Sequence, residues 1–575
     1  MKKFIFTFPL IILLVIAIGG FYSFNNDSVN EPQKKDSQHT ATNPKIEKIS
    51  DVINARKMTQ KFDEIRIFNL DKSGYGKYGL NKSFRKAEVL NLKKNKLSEI
   101  INSAPENIIL TIPVSDNKLL KFELYKENIF AKDFKVNIIN SSGVQSVEVF
   151  PGIHYRGIIR GDNNSLASFS FYKDRISGVF SDKKGNYNVG SIDRNKPDDR
   201  YIMFNDFDYN GKIPFECKVD DYNPKFTKYP SYISNSFFPQ NPARRRVGIC
   251  FFADYQMYLD FGSNTSTVTN YITSAFNSVS TLYQNEYLGT EIAQINVYNY
   301  SDPYINLHDS YLILTAFGGN VQNNFTGDLA QLLSTRQEGF GGIAWVRTLC
   351  ENYHPDDSSG RYSFCGIDTT YMNYPLYSWT VMVMTHELGH NFGSMHTHAC
   401  WWPITQYIRG AIDSCYYAEG GCFSGTTPTF NGTIMSYCHL NGGIVLMNGF
   451  GPMPGDTVRL RYNQATCFGS VINSSEYPVT FSLMQNFPNP FNPGTRIQFD
   501  VPKNALITIK IYDIAGREIT KLQNSNFYTP GTYSVYFDAN YYSLSSGVYL
   551  YQIIANDASS QSVIYTELKK MLMIK

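Results

Sequence analysis

The eleven residues His386-Glu387-Leu388-Gly389-His390-Asn391-Phe392-Gly393-Ser394-Met395-His396 constrain this chain more than any other stretch. His386 and His390 stand four residues apart, so on a helix their imidazoles leave one face a turn apart and can converge on one ion. Trp379, Val383, His386 and His390 follow a 4, 3, 4 spacing, which predicts a helix with that stripe turned inward. Glycine tolerates the left-handed backbone that ends a helix, so Gly393 can swing the chain back and let His396 bring a third nitrogen from outside. Three nitrogens and a water make an open tetrahedral site, the catalytic form of zinc coordination. Glu387 lies beside such a metal rather than on it, placed to take a proton from the attacking water and return it to a leaving amine. A bare His-Glu-x-x-His also occurs on helices with satisfied histidines, but the longer string, with Gly393 and His396 in register, is far more restrictive. A purely structural zinc fits less well, because Glu387 adjoins the site and a fourth protein ligand is missing from the string.

At 575 residues the chain exceeds what one core organises, and about two to four domains are expected. The aromatic share of 15% leans toward strand-rich architecture. A net charge of +3 provides no global field for nucleic acid or an anionic membrane. Lys2 and Lys3 precede an apolar run from Phe4 to Ile18, followed by Gly19-Gly20 and Ser23, which reads as a cleaved export signal. The competing reading is a single membrane anchor, since the run is near the lower length limit for spanning. Eight cysteines (Cys250, Cys350, Cys365, Cys400, Cys415, Cys422, Cys438 and Cys467) fall in one window, and an even set in an exported domain predicts a disulfide framework of open connectivity. Cys217 stands alone upstream.

Residues 27 to about 60 are rich in Lys, Asn, Ser and Gln, which suits a flexible linker. From about 60 to 240 short alternating strands are expected, among them Ser146–Phe150, Ser168–Phe171 and Arg175–Phe180. The run Arg244-Arg245-Arg246 then reads as a cleavage site. Val247–Phe252 is a buried-strand candidate, and Val268, Ile272, Ala275, Val279 and Leu282 recur at helical spacing. Residues 471–575 alternate with period two, as in Ile507, Ile509 and Ile511 or Tyr533, Val535 and Phe537, which predicts an antiparallel sandwich of about seven strands.

Gly432-Thr433-Ile434-Met435-Ser436-Tyr437-Cys438 follows the third histidine by some forty residues. Together with His386 through His396 it resembles the Met-turn and zinc signature of the metzincins, with Met435 as an apolar floor beneath the ligands. Tyr437 stands at the spacing where some metzincins place a switchable tyrosine ligand; a packed tyrosine is the commoner outcome. Over roughly 247–467 the chain is similar to reprolysin/adamalysin-like peptidases. The likeness is carried by Val247–Asp254 with Met257-Tyr258, by Gly327–Leu333 as the helix ahead of the motif, and by Gly341–Val346 as the edge strand. It implies that Gly342, Ile343, Ala344 and Trp345 pair with an extended peptide substrate, and that Cys350 bonds Cys467. Thr397, Cys438 and Trp401-Trp402 depart from the animal pattern, which leaves subfamily and subsites open.

Upstream, His154–Gly161 and Ser165–Ser168 resemble a reprolysin-type propeptide. That likeness provides a use for Cys217, whose thiolate could take the water's place on zinc until cleavage; a buried free thiol, or a partner for another cysteine, is the alternative. The tail resembles a type A sorting domain of type IX secretion, through Gln485–Pro493, Ile511–Glu518, Ser546–Tyr549 and Lys570–Lys575; a generic adhesion sandwich is the other reading. The expected protein is therefore multidomain. An export signal (1–26) and a β-rich propeptide (27–246) precede an α/β metzincin catalytic domain with a mixed sheet and zinc helix (247–470), and an antiparallel β-sandwich sorting domain (471–575) follows. It is expected to be a secreted or surface zinc endopeptidase that reaches its place through the periplasm and outer membrane. Its partners would be protein or peptide substrates and the type IX machinery, with no nucleic acid and no stable membrane span in the mature form. The other class of reading is an exported adhesin with a non-catalytic peptidase fold. One catalytic Zn2+ is implied, while Ca2+ sites leave no readable signature.

Overall fold

Polar composition before residue 60 conceals a helix. In the computed structural model Ile49–Thr59 is α-helical, where a flexible linker was expected. Ile49 and Ile53, one turn apart, are both fully buried, and the Ile49 N–H donates to Asn285 Oδ1 at 3.0 Å. Two apolar side chains on one face suffice to dock a helix whose other positions are solvated. The structure describes residues 46–574 except 193–198, 212–216, 220–245, 337–339, 368–375, 404–408, 423–431, 441, 466, 468–479, 487–488, 493, 529–530, 540–541 and 559. The expected export signal, residues 27–45 of the expected linker, and Arg244-Arg245 lie outside the described residues. Among them, no helix is long and apolar enough to cross a membrane.

Ten strands between Asp63 and Asn205 form one sheet, antiparallel except where Asp63–Ile65 runs parallel to Asn107–Ser115. Leu110, Phe122, Leu124, Tyr155, Phe169 and Phe180 fill one of its faces.

A second sheet of seven strands carries the motif helix. Its order is Gly342–Ala344, Tyr362–Gly366, Leu329–Ser334, Val247–Ala253, Thr290–Tyr298, Phe130–Asn140, Gly143–Val147. The interior pairings are parallel and the two outermost are antiparallel. Two expectations change here. Leu329–Ser334 is a strand, not part of a helix; all six residues are buried between parallel neighbours. A short apolar run has no period that separates a buried strand from a helix. The hairpin Phe130–Val147 comes from the N-terminal region, yet it pairs with Thr290–Tyr298, with Val136 opposite Ile295 and Ile138 opposite Val297. Residue 246 is thus not a boundary between cores: Ile49, Leu80, Val136, Leu166 and Phe204 share one apolar cluster with Ile249, Val279 and Leu388.

Thr265–Asn285 forms a 21-residue helix whose Val268, Ile272, Ala275, Val279 and Leu282 are buried. Its polar positions Thr273, Ser274, Asn277, Ser278 and Thr281 are buried too, under the N-terminal sheet, where Asn277 Nδ2 donates to the carbonyls of Tyr155 and Phe169.

At the C-terminus a three-stranded and a four-stranded antiparallel sheet share one core, with Ile497 and Phe499 from the first and Ile507, Ile509, Ile511 and Ile553 from the second. Disulfides join Cys350 to Cys467, Cys400 to Cys422 and Cys415 to Cys438. Cys250 and Cys365 remain buried thiols, a correction to the expected set of eight. The strand Leu329–Ser334 lies between theirs, with Cys250 opposite Ala330 and Cys365 opposite Leu333, which sets them more than about 10 Å apart, beyond the reach of a disulfide.

Candidate metal centre and active site

The helix Tyr377–Asn391 is buried all round from Ser378 onward, as a helix threaded through a core must be. No side chain of its own caps its start. Instead Asn188, on a strand of the N-terminal sheet, accepts from the Ser378 N–H at 2.8 Å, and Asp206 accepts from the Ser378 hydroxyl at 2.8 Å. At the other end Gly393 has φ +94°. Its N–H donates to the His390 carbonyl at 2.7 Å and the Ser394 N–H to that of Gly389 at 3.0 Å, closing the helix in the left-handed turn that glycine permits. The chain reverses and brings the His396 ring to 5.2 Å from that of His386 and 4.7 Å from that of His390.

His386 Nδ1 lies 2.7 Å from the Ile434 carbonyl and His390 Nδ1 lies 2.8 Å from that of Ser394. A carbonyl only accepts, so each Nδ1 carries the proton and each neutral ring presents a lone pair at Nε2. Burial, then the neighbouring imidazoles, holds both rings well below the usual histidine range, which keeps them neutral. The two Nε2 atoms stand 3.2 Å apart. Lone pairs facing each other in a buried place call for a cation between them. The edge of a tetrahedral site with imidazole ligands measures about 3.3 Å. One ligand atom each from His386, His390, His396 and Cys217 lies within 4.8 Å of all the others, so the donors present fit a divalent metal of zinc type.

Cys217 Sγ lies 3.5 Å from His390 Nε2 and 3.8 Å from Glu387 Oε2. Burial first, then the nearby Glu387 charge, pushes its thiol up to about 12; a bound cation acts in the opposite sense. The backbone around it is held as well. The Lys218 N–H donates to the Gly342 carbonyl at 3.0 Å, and the Tyr437 hydroxyl donates to the Cys217 carbonyl at 2.7 Å. Cys217 therefore sits along the edge strand Gly342–Ala344, over the three histidines. The strand ends at Ala344; Trp345 follows it, buried, and its carbonyl accepts from Asn391 Nδ2 at 2.9 Å.

Glu387 is fully buried, and desolvation pushes its carboxyl up to about 8 against the smaller downward pulls of His396 and Cys217. Met435 is buried, and a Cβ on Gly389 would stand 2.8 Å from its sulfur, so glycine lets Met435 come up under the motif. Thr397, the departure from the animal pattern, ties the two segments by donating from N–H and hydroxyl to the Met435 carbonyl at 3.0 and 3.2 Å.

Sequence reading passed over His398 and Glu419. The His398 ring stacks on His396 at 4.8 Å and 8°. Glu419 Oε1 lies 3.0 Å from His398 Nε2 and 3.5 Å from His396 Nδ1, in a loop held by Cys400–Cys422. The spacing of His398 after His396 hinted at it; nothing local pointed to Glu419.

Residues 243–445 match the model of metallo-peptidase family M12, and residues 485–566 match that of the secretion system C-terminal sorting domain. Among solved structures the chain is similar to metalloproteinase-II from Bacteroides fragilis, at 11% identity over 64% of this chain and 96% of that one, with a TM-score of 0.30. It is also similar to catalytically inactive OgpA from Akkermansia muciniphila in complex with an O-glycopeptide, at 12% identity over 57% and 92%, with a TM-score of 0.19. By its two matched models the chain carries a metallopeptidase domain of family M12, followed by the sorting domain that directs secretion through the type IX system to the cell surface or beyond.

Proposed function

We propose that this protein is a zinc endopeptidase made as a latent precursor. His386, His390 and His396 hold the zinc, Glu387 moves the proton of the attacking water, and Cys217 blocks the remaining position. Zinc, when bound, supplies Lewis acidity to the scissile carbonyl and to that water. The observation that carries the reading is the Cys217 thiol 3.5 Å from His390 Nε2 and 3.8 Å from the Glu387 carboxylate, where a water serving both would have to sit. Burial raises the Glu387 carboxyl, which favours its taking a proton, while a bound cation acts in the opposite sense and favours its return. With a substrate in place of Cys217, the Tyr437 hydroxyl is set to donate to a peptide carbonyl, as it now does to that of Cys217. The Gly342 carbonyl, now accepting from Lys218, would accept from an extended substrate backbone, a contact that reads no side chain and suits protein or peptide substrates broadly.

Glu387→Ala tests the mechanism. Casein cleavage by the processed enzyme should fall by at least ~100-fold, with one zinc per chain retained by metal analysis. Undiminished cleavage in that variant would remove Glu387 from the chemistry.

A further inference from the structure

Among the described residues, four sets of contacts stand out among those that join residues before 212 to residues after 246. The first is the parallel pairing of Phe130–Asn140 with Thr290–Tyr298, which extends the peptidase sheet by a hairpin. The second is Arg156, fully buried, whose Nε donates to Asn277 Oδ1 at 3.1 Å and Nη1 to Gln284 Oε1 at 2.9 Å. Beside it the Tyr172 hydroxyl donates to the Asn270 carbonyl at 2.7 Å. In the third set, Asn188 and Asp206 cap the motif helix at Ser378. The fourth holds the loop after Met435: Asn186 accepts from the Leu446 N–H at 2.8 Å and donates to the Ile444 carbonyl at 2.8 Å, and Ser181 accepts from the Met447 N–H at 3.1 Å. A shared apolar cluster underlies them all.

We propose that cutting the chain before Val247 neither releases nor activates the peptidase. The N-terminal unit, with Cys217 at its end, stays seated as a non-covalent inhibitor, and full activity appears only when a second event destroys that unit. This rests on the peptidase reading above. The physical reason is that a covalent link adds only effective concentration, on the order of millimolar for a flexible connection. Strand pairing, buried hydrogen bonds and a common core must all break together, so an interface of this kind holds far below that concentration. Arg246 shows the same trend at the cut itself: it pairs with Glu127 and donates to the Asn128 carbonyl at 2.7 Å, so a break upstream of it leaves the new terminus anchored. The face of Thr265–Asn285 beneath the N-terminal sheet is Thr273, Ser274, Asn277, Ser278 and Thr281. Water can satisfy all of these, so this face remains compatible with a soluble peptidase once the cover is destroyed.

The test uses the full, zinc-loaded chain with residues 239–243 replaced by the recognition sequence of a site-specific protease. After cutting, both fragments should co-elute on size exclusion at the volume of the uncut protein. Casein cleavage should stay below about a tenth of the level reached once the N-terminal fragment is digested away. In Arg156→Ala, which loses two of the buried hydrogen bonds, the cut fragments should part at a lower urea concentration than those of wild type; the wild-type cut decides the matter even if that variant does not fold. Fragments that part in native buffer, or full activity on cutting alone, would overturn the proposal. Co-elution with no activity in any state would support the seating and count against the peptidase reading, so the two failures are distinguishable.

Discussion

The Glu387 carboxylate lies so close beneath Gly342 that a Cβ built on the glycine would overlap its Oε1 oxygen. The edge strand and the Glu387 carboxylate therefore share one volume, and only a residue without a side chain lets the strand pass over the carboxyl. Gly342 serves two ends at once, since its carbonyl also accepts from the backbone of Lys218.

Gly342→Ala should displace Glu387 without touching the histidines. The expected result is a fall in kcat of about 100-fold, the scale of a misplacement near 1 Å, with zinc content unchanged. Measuring kcat and KM together checks this; an unaffected kcat would mean that the carboxyl has room to move.

Cys217→Ser exchanges a thiol, which binds zinc strongly as its thiolate, for a hydroxyl, which binds it weakly. The uncut precursor should then cleave casein at least ~10-fold faster than wild type, because the hydroxyl binds zinc far less well than a thiolate does. A variant as quiet as wild type before any cleavage would end the latency role of Cys217.

Glu419→Gln tests a carboxylate 3.5 Å from His396 Nδ1. Backbone carbonyls orient the other two histidines, whereas the third ring has a carboxylate beside its Nδ1. Zinc affinity, read by competition with a chelator, should weaken ~10–100-fold, while the metal-free protein should melt where wild type does. Unchanged affinity would reduce Glu419 to a loop contact.

Asp206 provides the pH dependence. Burial pushes its carboxyl up to about 6, against the opposing hydrogen bonds of Ser378, Asn186 and Asn188. The folded protein therefore keeps a proton that the unfolded chain has released. The stability Asp206 adds is fully present below about pH 4 and is lost as pH rises through about 6. Across that window the melting temperature of Asp206→Asn should gain on wild type as pH rises. Parallel curves would show that Asp206 titrates normally.

The sequence by itself determined the elements whose cause is local. The 4, 3, 4 stripe Trp379, Val383, His386, His390 lies on one helical face whatever surrounds it, although the fold buries the other faces too, and Gly393 ends that helix because glycine tolerates φ +94°. Val268 through Leu282 and the alternating Ile507, Ile509 and Ile511 were legible for the same reason: a period of 3.6 or 2 is a property of the backbone. Tertiary structure alone decided the rest. Leu329–Ser334 is a strand because two parallel neighbours enclose it, and Ile49–Thr59 is a helix because a core lies under Ile49 and Ile53. The hairpin Phe130–Val147 crosses to the peptidase sheet because Thr290–Tyr298 offers an open row of backbone donors and acceptors, which any strand of suitable register can meet. Glu419 reaches His396, and Cys217 lies over all three histidines, through loops whose course no spacing encodes. The candidate metal site can thus be read from one helix and one turn, whereas what covers it depends on pairings between residues far apart in the chain.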